Sequence, residues 1–124
     1  MTSPLFWHEG NTYYKIKNYK KALTTYLKAL EYNPYHTHVL NNIGSCYYAI
    51  GRNDKAENFF KRALEINPTF VSAIMNYASM QFNEGKLNDA LVQILSIPKD
   101  REPENYKLFI FFTTQYEKQC GKYK

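Results

Sequence analysis

The chain has 124 residues, 44% of them apolar and 17% aromatic, with five Gly and five Pro, a balance that excludes both a disordered and a collagen-like chain. Sixteen Lys and Arg against eleven Asp and Glu leave a net charge of +5, densest at Lys15, Lys17, Lys20 and Lys21. That run reads as a solvated helix end, and with no stacking aromatics interleaved along one face it does not make nucleic acid an expected partner. Cys46 and Cys120 stand alone, outside any CxxC pair, which argues for a reducing compartment rather than a secreted disulfide scaffold. The first fifteen residues lack a basic region followed by an apolar one, and apolar runs such as residues 108–112 are far too short to span a bilayer. The cytoplasm is the expected compartment, with the nucleus as the alternative.

Taken in chain order, the sequence repeats itself every 34 residues. A first unit, about residues 3–36, carries Gly10, Tyr13, Ala22, Tyr26, Ala29 and Asn33-Pro34. Its stretch 19–31 places Ala22, Leu23, Tyr26, Leu27, Ala29 and Leu30 at helical spacing. A second unit, about residues 37–70, returns each column at the same interval as Gly44, Tyr47, Ala56, Phe60, Ala63 and Asn67-Pro68, and adds Leu40. Small residues let two antiparallel helices approach while the aromatics fill the space beside them. Each Pro ends a helix and pushes the preceding Asn out of the helical region. Gly51 and Gly85 are expected where one helix reverses into its partner, with Asn53-Asp54 and Asn88 as N-caps. A third unit, about residues 71–104, departs: Ala78 replaces the Gly, Gln81 the Tyr, Ile94 the aromatic and Ile97 the second Ala. Its second helix is expected to stop at Pro98, before a loop reaching Glu104. A further helix, about residues 105–119, carries Tyr106, Leu108, Phe109, Phe112 and Tyr116. It is apolar where an end cap should be polar. The 124 residues are therefore expected to form one domain, the N-terminal piece of a longer array or one whose last helix another chain covers.

Gly, Tyr, Ala, aromatic, Ala and Pro in this order, in 34-residue helix–turn–helix units, resemble the tetratricopeptide repeat over nearly the whole chain. The resemblance implies an all-α, right-handed superhelical array of antiparallel helix hairpins. In that family the first helices of the hairpins line a concave groove, so the implied function is an adaptor or scaffold holding a peptide segment of a protein partner. Asn42 and Asn76 are 34 apart, at equivalent places on successive first helices, and Asn11 lies on the preceding one. An Asn amide offers a donor and an acceptor that match a peptide bond. The expected peptide-binding set is Trp7, Asn11, Tyr14, His38, Asn42, Ser45, Ser72, Asn76 and Ser79. One subtype, the carboxylate clamp that holds the acidic tails of heat-shock chaperones, needs Lys, Asn, Asn, Lys and Arg. The matching positions here hold Trp7, Asn11, Asn42, Ser72 and Asn76. The clamp's cations are missing, so a chaperone tail is not the expected ligand. Aromatic and Met side chains near that face (Trp7, Tyr14, Tyr48, Met75, Phe82), with small Ser between them, suit an apolar or mixed peptide.

Chemistry finds no foothold. His36 and His38 lack a nearby Cys or carboxylate to complete a metal site and read instead as loop and helix-start residues, so no metal and no cofactor are expected. Cys46 falls on an inward stretch where a thiol is a small hydrophobe, and no phosphate-binding glycine loop or HExxH occurs. The expectation is a binding protein rather than an enzyme. Two alternatives stand beside the groove: self-association into a homo-oligomer through Leu108, Phe109, Phe111 and Phe112, and service as the targeting array of a larger enzyme.

Overall fold

The computed structural model describes residues 3–107, 109–111 and 114. Through residue 95 these described residues form six α-helices in succession: α1 Ser3–Lys15, α2 Tyr19–Tyr32, α3 Thr37–Ala49, α4 Asn53–Ile66, α5 Val71–Asn83 and α6 Leu87–Leu95. A 3-10 turn at Lys99–Arg101 comes next, and Tyr106, Lys107, 109–111 and Thr114 are again helical. Consecutive helices pair as hairpins, α1 with α2, α3 with α4 and α5 with α6. The first two hairpins belong to one compact unit, Met1–Pro68, and the third to another, Thr69–Lys124. Among the described residues no helix is long and apolar enough to cross a membrane.

The reversals inside the hairpins share one construction. Lys17, Gly51 and Gly85 take left-handed backbone with φ of 62, 85 and 80°. Each N–H donates three residues back, to Tyr14, Tyr48 and Phe82, and the next N–H donates five back, to Tyr13, Tyr47 and Gln81. These paired bonds close the last carbonyls of the first helix. The residue after the left-handed one then becomes the N-cap, which corrects the expected caps. Asn18 caps α2, its Oδ1 accepting the Lys21 N–H at 3.3 Å, whereas Arg52 and Lys86 cap α4 and α6 without a side-chain bond. Asn53 and Asn88 lie inside their helices, because the turn fixes the cap before Asn53 and Asn88 are reached.

Between hairpins 1 and 2 the expected proline stop is present: Asn33, before Pro34, is extended at φ −145° and ψ 91°. Its Oδ1 accepts the Tyr35 N–H at 3.1 Å, closing the turn locally. Asn67 repeats the extended backbone before Pro68, at φ −133° and ψ 89°. Helix α6 is only nine residues long and ends at Leu95 rather than at Pro98. The Ser96 and Ile97 N–H groups bond three residues back and the Ser96 hydroxyl donates to the Gln93 carbonyl, so the chain tightens before the proline arrives. Within the second unit Arg101 then donates to the Thr69 hydroxyl at 3.0 Å.

The core of the first unit is Ala22, Tyr26, Ala29, Val39, Ile43 and Cys46, flanked by Phe6, Trp7, Tyr13, Leu30, Tyr47 and Phe59. Its glycines set the helix approach. A Cβ on Gly10 would stand 2.5 Å from the Tyr26 ring, and one on Gly44 would stand 2.7 Å from the Phe60 ring. Where the third hairpin has Ala78 instead of Gly, Ile94 replaces the ring, and both are fully buried. A shorter branched side chain thus accompanies the added methyl, which is the physical sense of that departure. A second column co-varies in the same way. Lys21 sits over Tyr13 and Lys55 over Tyr47, at 5.8 and 5.5 Å from the ring centroids, and the third hairpin has Gln81 and Asp89 in those two places.

Candidate functional site

On α1, Trp7, Asn11 and Tyr14 follow i, i+4, i+7 spacing and so share one stripe; His38, Asn42 and Ser45 do the same on α3. The first unit brings these six together as three rungs, each joining residues 31 apart. In the first rung the Trp7 ring meets His38 edge-on at 5.9 Å and also packs against His36 at 5.1 Å and Tyr26 at 6.0 Å. In the third rung Tyr14 is hydrogen-bonded to Ser45 and its ring stands edge-on to Tyr19 at 5.5 Å. Burial raises the Tyr14 phenol above its ordinary value, against the opposing pull of the Ser45 bond, so it stays protonated at neutral pH.

The middle rung is a three-membered network. The Tyr26 hydroxyl donates to Asn11 Oδ1 at 2.5 Å and accepts from Asn42 Nδ2 at 3.3 Å, while Asn42 Nδ2 also reaches Asn11 Oδ1 at 3.4 Å. Burial pushes the Tyr26 phenol up to about 12 despite its bond to Asn42, so the hydroxyl remains a donor throughout the physiological range. The network leaves Asn11 Nδ2 and Asn42 Oδ1 without a bond to another described residue. Both Asn residues are half-buried, so the stripe is partly open to solvent at this rung.

The remaining three expected residues, Ser72, Asn76 and Ser79, have the same spacing on α5 in the second unit. Ser72 is exposed and the other two are half-buried. Of the aromatic set at 108–112, Phe109 meets Phe82 edge-on at 5.8 Å and Phe111 is 55% exposed; Leu108 and Phe112 lie outside the described residues. Among the described residues no three His, Cys, Asp or Glu side chains gather as a metal-holding group. Cys46 is fully buried, and burial alone pushes its thiol up to about 12, which makes it a packing residue and not a nucleophile.

Sequence reasoning missed one member of this region. It assigned Tyr26 to packing alone, although Tyr26 with Asn11 stands where the next unit has Phe60 with Ser45, and that paired change was the available signal. His36, read as a helix-start residue rather than a metal ligand, is the N-cap of α3, its Nδ1 accepting the Val39 N–H at 3.3 Å.

With the hairpins and this stripe in view, the comparisons with known proteins fall into place. Residues 5–69, just over half of the chain, match the tetratricopeptide repeat family, and the chain belongs to it. No curated protein matches the sequence. Among solved structures, the first such domain of human RPAP3 is similar with a TM-score of 0.88 at 19% identity, covering 98% of this chain and 96% of that one. The first TPR of Spaghetti (RPAP3), bound to the HSP90 peptide SRMEEVD, gives 0.85 at 20% identity, covering 93% and 92%. The TPR2B domain of yeast Sti1, in a complex with pHsp70, gives 0.83 at 16% identity, covering 92% and 97%. At these identities the likeness establishes the fold, an all-α array of antiparallel tetratricopeptide hairpins.

Proposed function

We propose that this chain is a protein–protein interaction adaptor that holds an extended peptide segment of its partner along the stripe of α1 and α3. The observation that carries the reading is the middle rung: an amide donor on Asn11 and an amide acceptor on Asn42, half-exposed and unused within the described residues, as a peptide backbone requires. Trp7, ringed by Tyr26, His36 and His38, is the apolar anchor at one end. The ligand is a neutral or apolar segment. No Lys or Arg belongs to the six-residue stripe, so the SRMEEVD peptide seen with the Spaghetti domain, with its three carboxylate side chains, would find no cation there.

Trp7 is the single Trp of the chain, so its intrinsic fluorescence reads the site directly. Peptides selected from a random display library are expected to change that signal saturably, and SRMEEVD to bind much more weakly than the selected peptides. Tight SRMEEVD binding would overturn the choice of ligand class. Asn42→Ala is expected to weaken binding of the selected peptides by roughly 1–3 kcal/mol, the cost of leaving a backbone partner unmet. Equal affinity in that variant would remove the stripe as the site. A second reading, self-association, is favoured by the exposed Phe111 ring.

A further inference from the structure

Tyr26 and Phe60 occupy the same place in successive hairpins, are equally buried, and press the same ring edge against a glycine of the preceding helix. Phe60 shows that packing at this place needs only the ring. The hydroxyl of Tyr26 is therefore surplus to the fold, yet it makes the shortest hydrogen bond of the middle rung. The helix partner changes with it: Asn11 accompanies Tyr26, and the equivalent Ser45 accompanies Phe60.

We infer that Tyr26 is a positioning residue that ties the Asn11 and Asn42 amides to each other, so that together they present one donor and one acceptor to a peptide lying along the stripe. An Asn amide can turn over, exchanging its donor and acceptor ends, at little steric cost. Two facing amides alone could pair with either one as donor. A hydroxyl has one proton to give. Given to Asn11 Oδ1, it leaves only a lone pair for Asn42, which must then present its NH2 group inward. Asn11 is left with its NH2 donors outward and Asn42 with its carbonyl outward. With both amides turned over the hydroxyl would give its proton to Asn42 and accept from Asn11, so either way the coupled pair presents one donor and one acceptor, as the C=O and N–H of a peptide require. This inference rests on the peptide-binding reading of the stripe and adds Tyr26 to it.

Tyr26→Phe tests it, and Phe60 indicates that the substituted ring will pack. Three measurements accompany the variant: its melting curve, the side-chain amide NMR signals of Asn11 and Asn42 in the free protein, and the affinity of a display-selected peptide. Cooperative melting is expected to persist. The two side-chain amides should shift and lose their protection from exchange. The selected peptide should bind about tenfold more weakly, the loss of about one hydrogen bond's worth of orientation. Unchanged amide signals would overturn the inference without any peptide being needed. Full affinity in Tyr26→Phe, beside a weakened Asn42→Ala, would show a real site in which Tyr26 only packs. If Asn42→Ala also binds normally, the site itself fails, and the inference falls with it.

Discussion

Lys17 holds a backbone conformation that its repeat equivalents assign to glycine: φ is 62° there, against 85° at Gly51 and 80° at Gly85. A side chain in the left-handed region costs about 1–2 kcal/mol through the contact of Cβ with the following carbonyl, though Gly gives part of this back as unfolded-state entropy. Lys17→Gly is expected to raise stability by about 1 kcal/mol, read as a higher urea midpoint. A midpoint that stays put or falls would mean that the Lys17 turn is not strained. Gly51 and Gly85 were legible as reversals because glycine is a direct signal of φ. Lys17 was not, since a lysine carries no such signal and only its interval of 34 from Gly51 does. The Tyr26 hydroxyl was hidden for a related reason: a Tyr in a helical apolar column reads as bulk, and its one polar atom takes its meaning from Asn11 and Asn42, which are distant in sequence.

At the scale of elements, spacing of apolar and small residues was enough to find every helix of the three hairpins, while their ends depended on turn chemistry. Pro34 and Pro68 announce their stops, but the caps at Arg52 and Lys86 follow from the preceding left-handed turn and not from the capping ability of their own side chains. Helix α3 depends on another cap, His36 Nδ1 accepting the Val39 N–H. A protonated imidazole has no lone pair at that nitrogen. Burial first, then the neighbouring His38, hold the His36 pKa below its ordinary 6.5. The folded chain therefore takes up this proton less readily than the unfolded chain. Its contribution to stability is fully present above pH 6.5 and is lost as pH falls through the lower folded value. Thermal midpoints between pH 7 and pH 5 should accordingly decline, and His36→Asn, which can cap without titrating, should flatten the slope. The same decline in both proteins would assign it to other groups.

For the molecule as a whole, the net charge of +5 opposes like-to-like association, whereas the exposed Phe111 and the apolar character of residues 108–112 favour it. The self-association reading makes a plain demand on light scattering: the mass of residues 1–124 should rise with concentration, and Phe111→Lys should return it to the monomer. A monomer mass at every concentration would retire that reading. The array itself was legible because a solenoid repeats its packing problem, so each column of the sequence is solved more than once. The stripe proposed to bind a peptide was legible only in part. Trp7, Asn11, Tyr14, His38, Asn42 and Ser45 could be placed by their register within the repeat, but no repeat repeats a ligand. One feature of the core reaches beyond folding. Gly10 with Tyr26, Gly44 with Phe60 and Ala78 with Ile94 each lie 16 residues apart. In the first two hairpins a methyl added to the glycine collides with the ring, and a ring cut down to Ile opposite a glycine leaves a void. Each change is harmful alone and tolerable with the other, so the two positions are expected to change together, and lineages of this repeat should rarely pass through the mixed states.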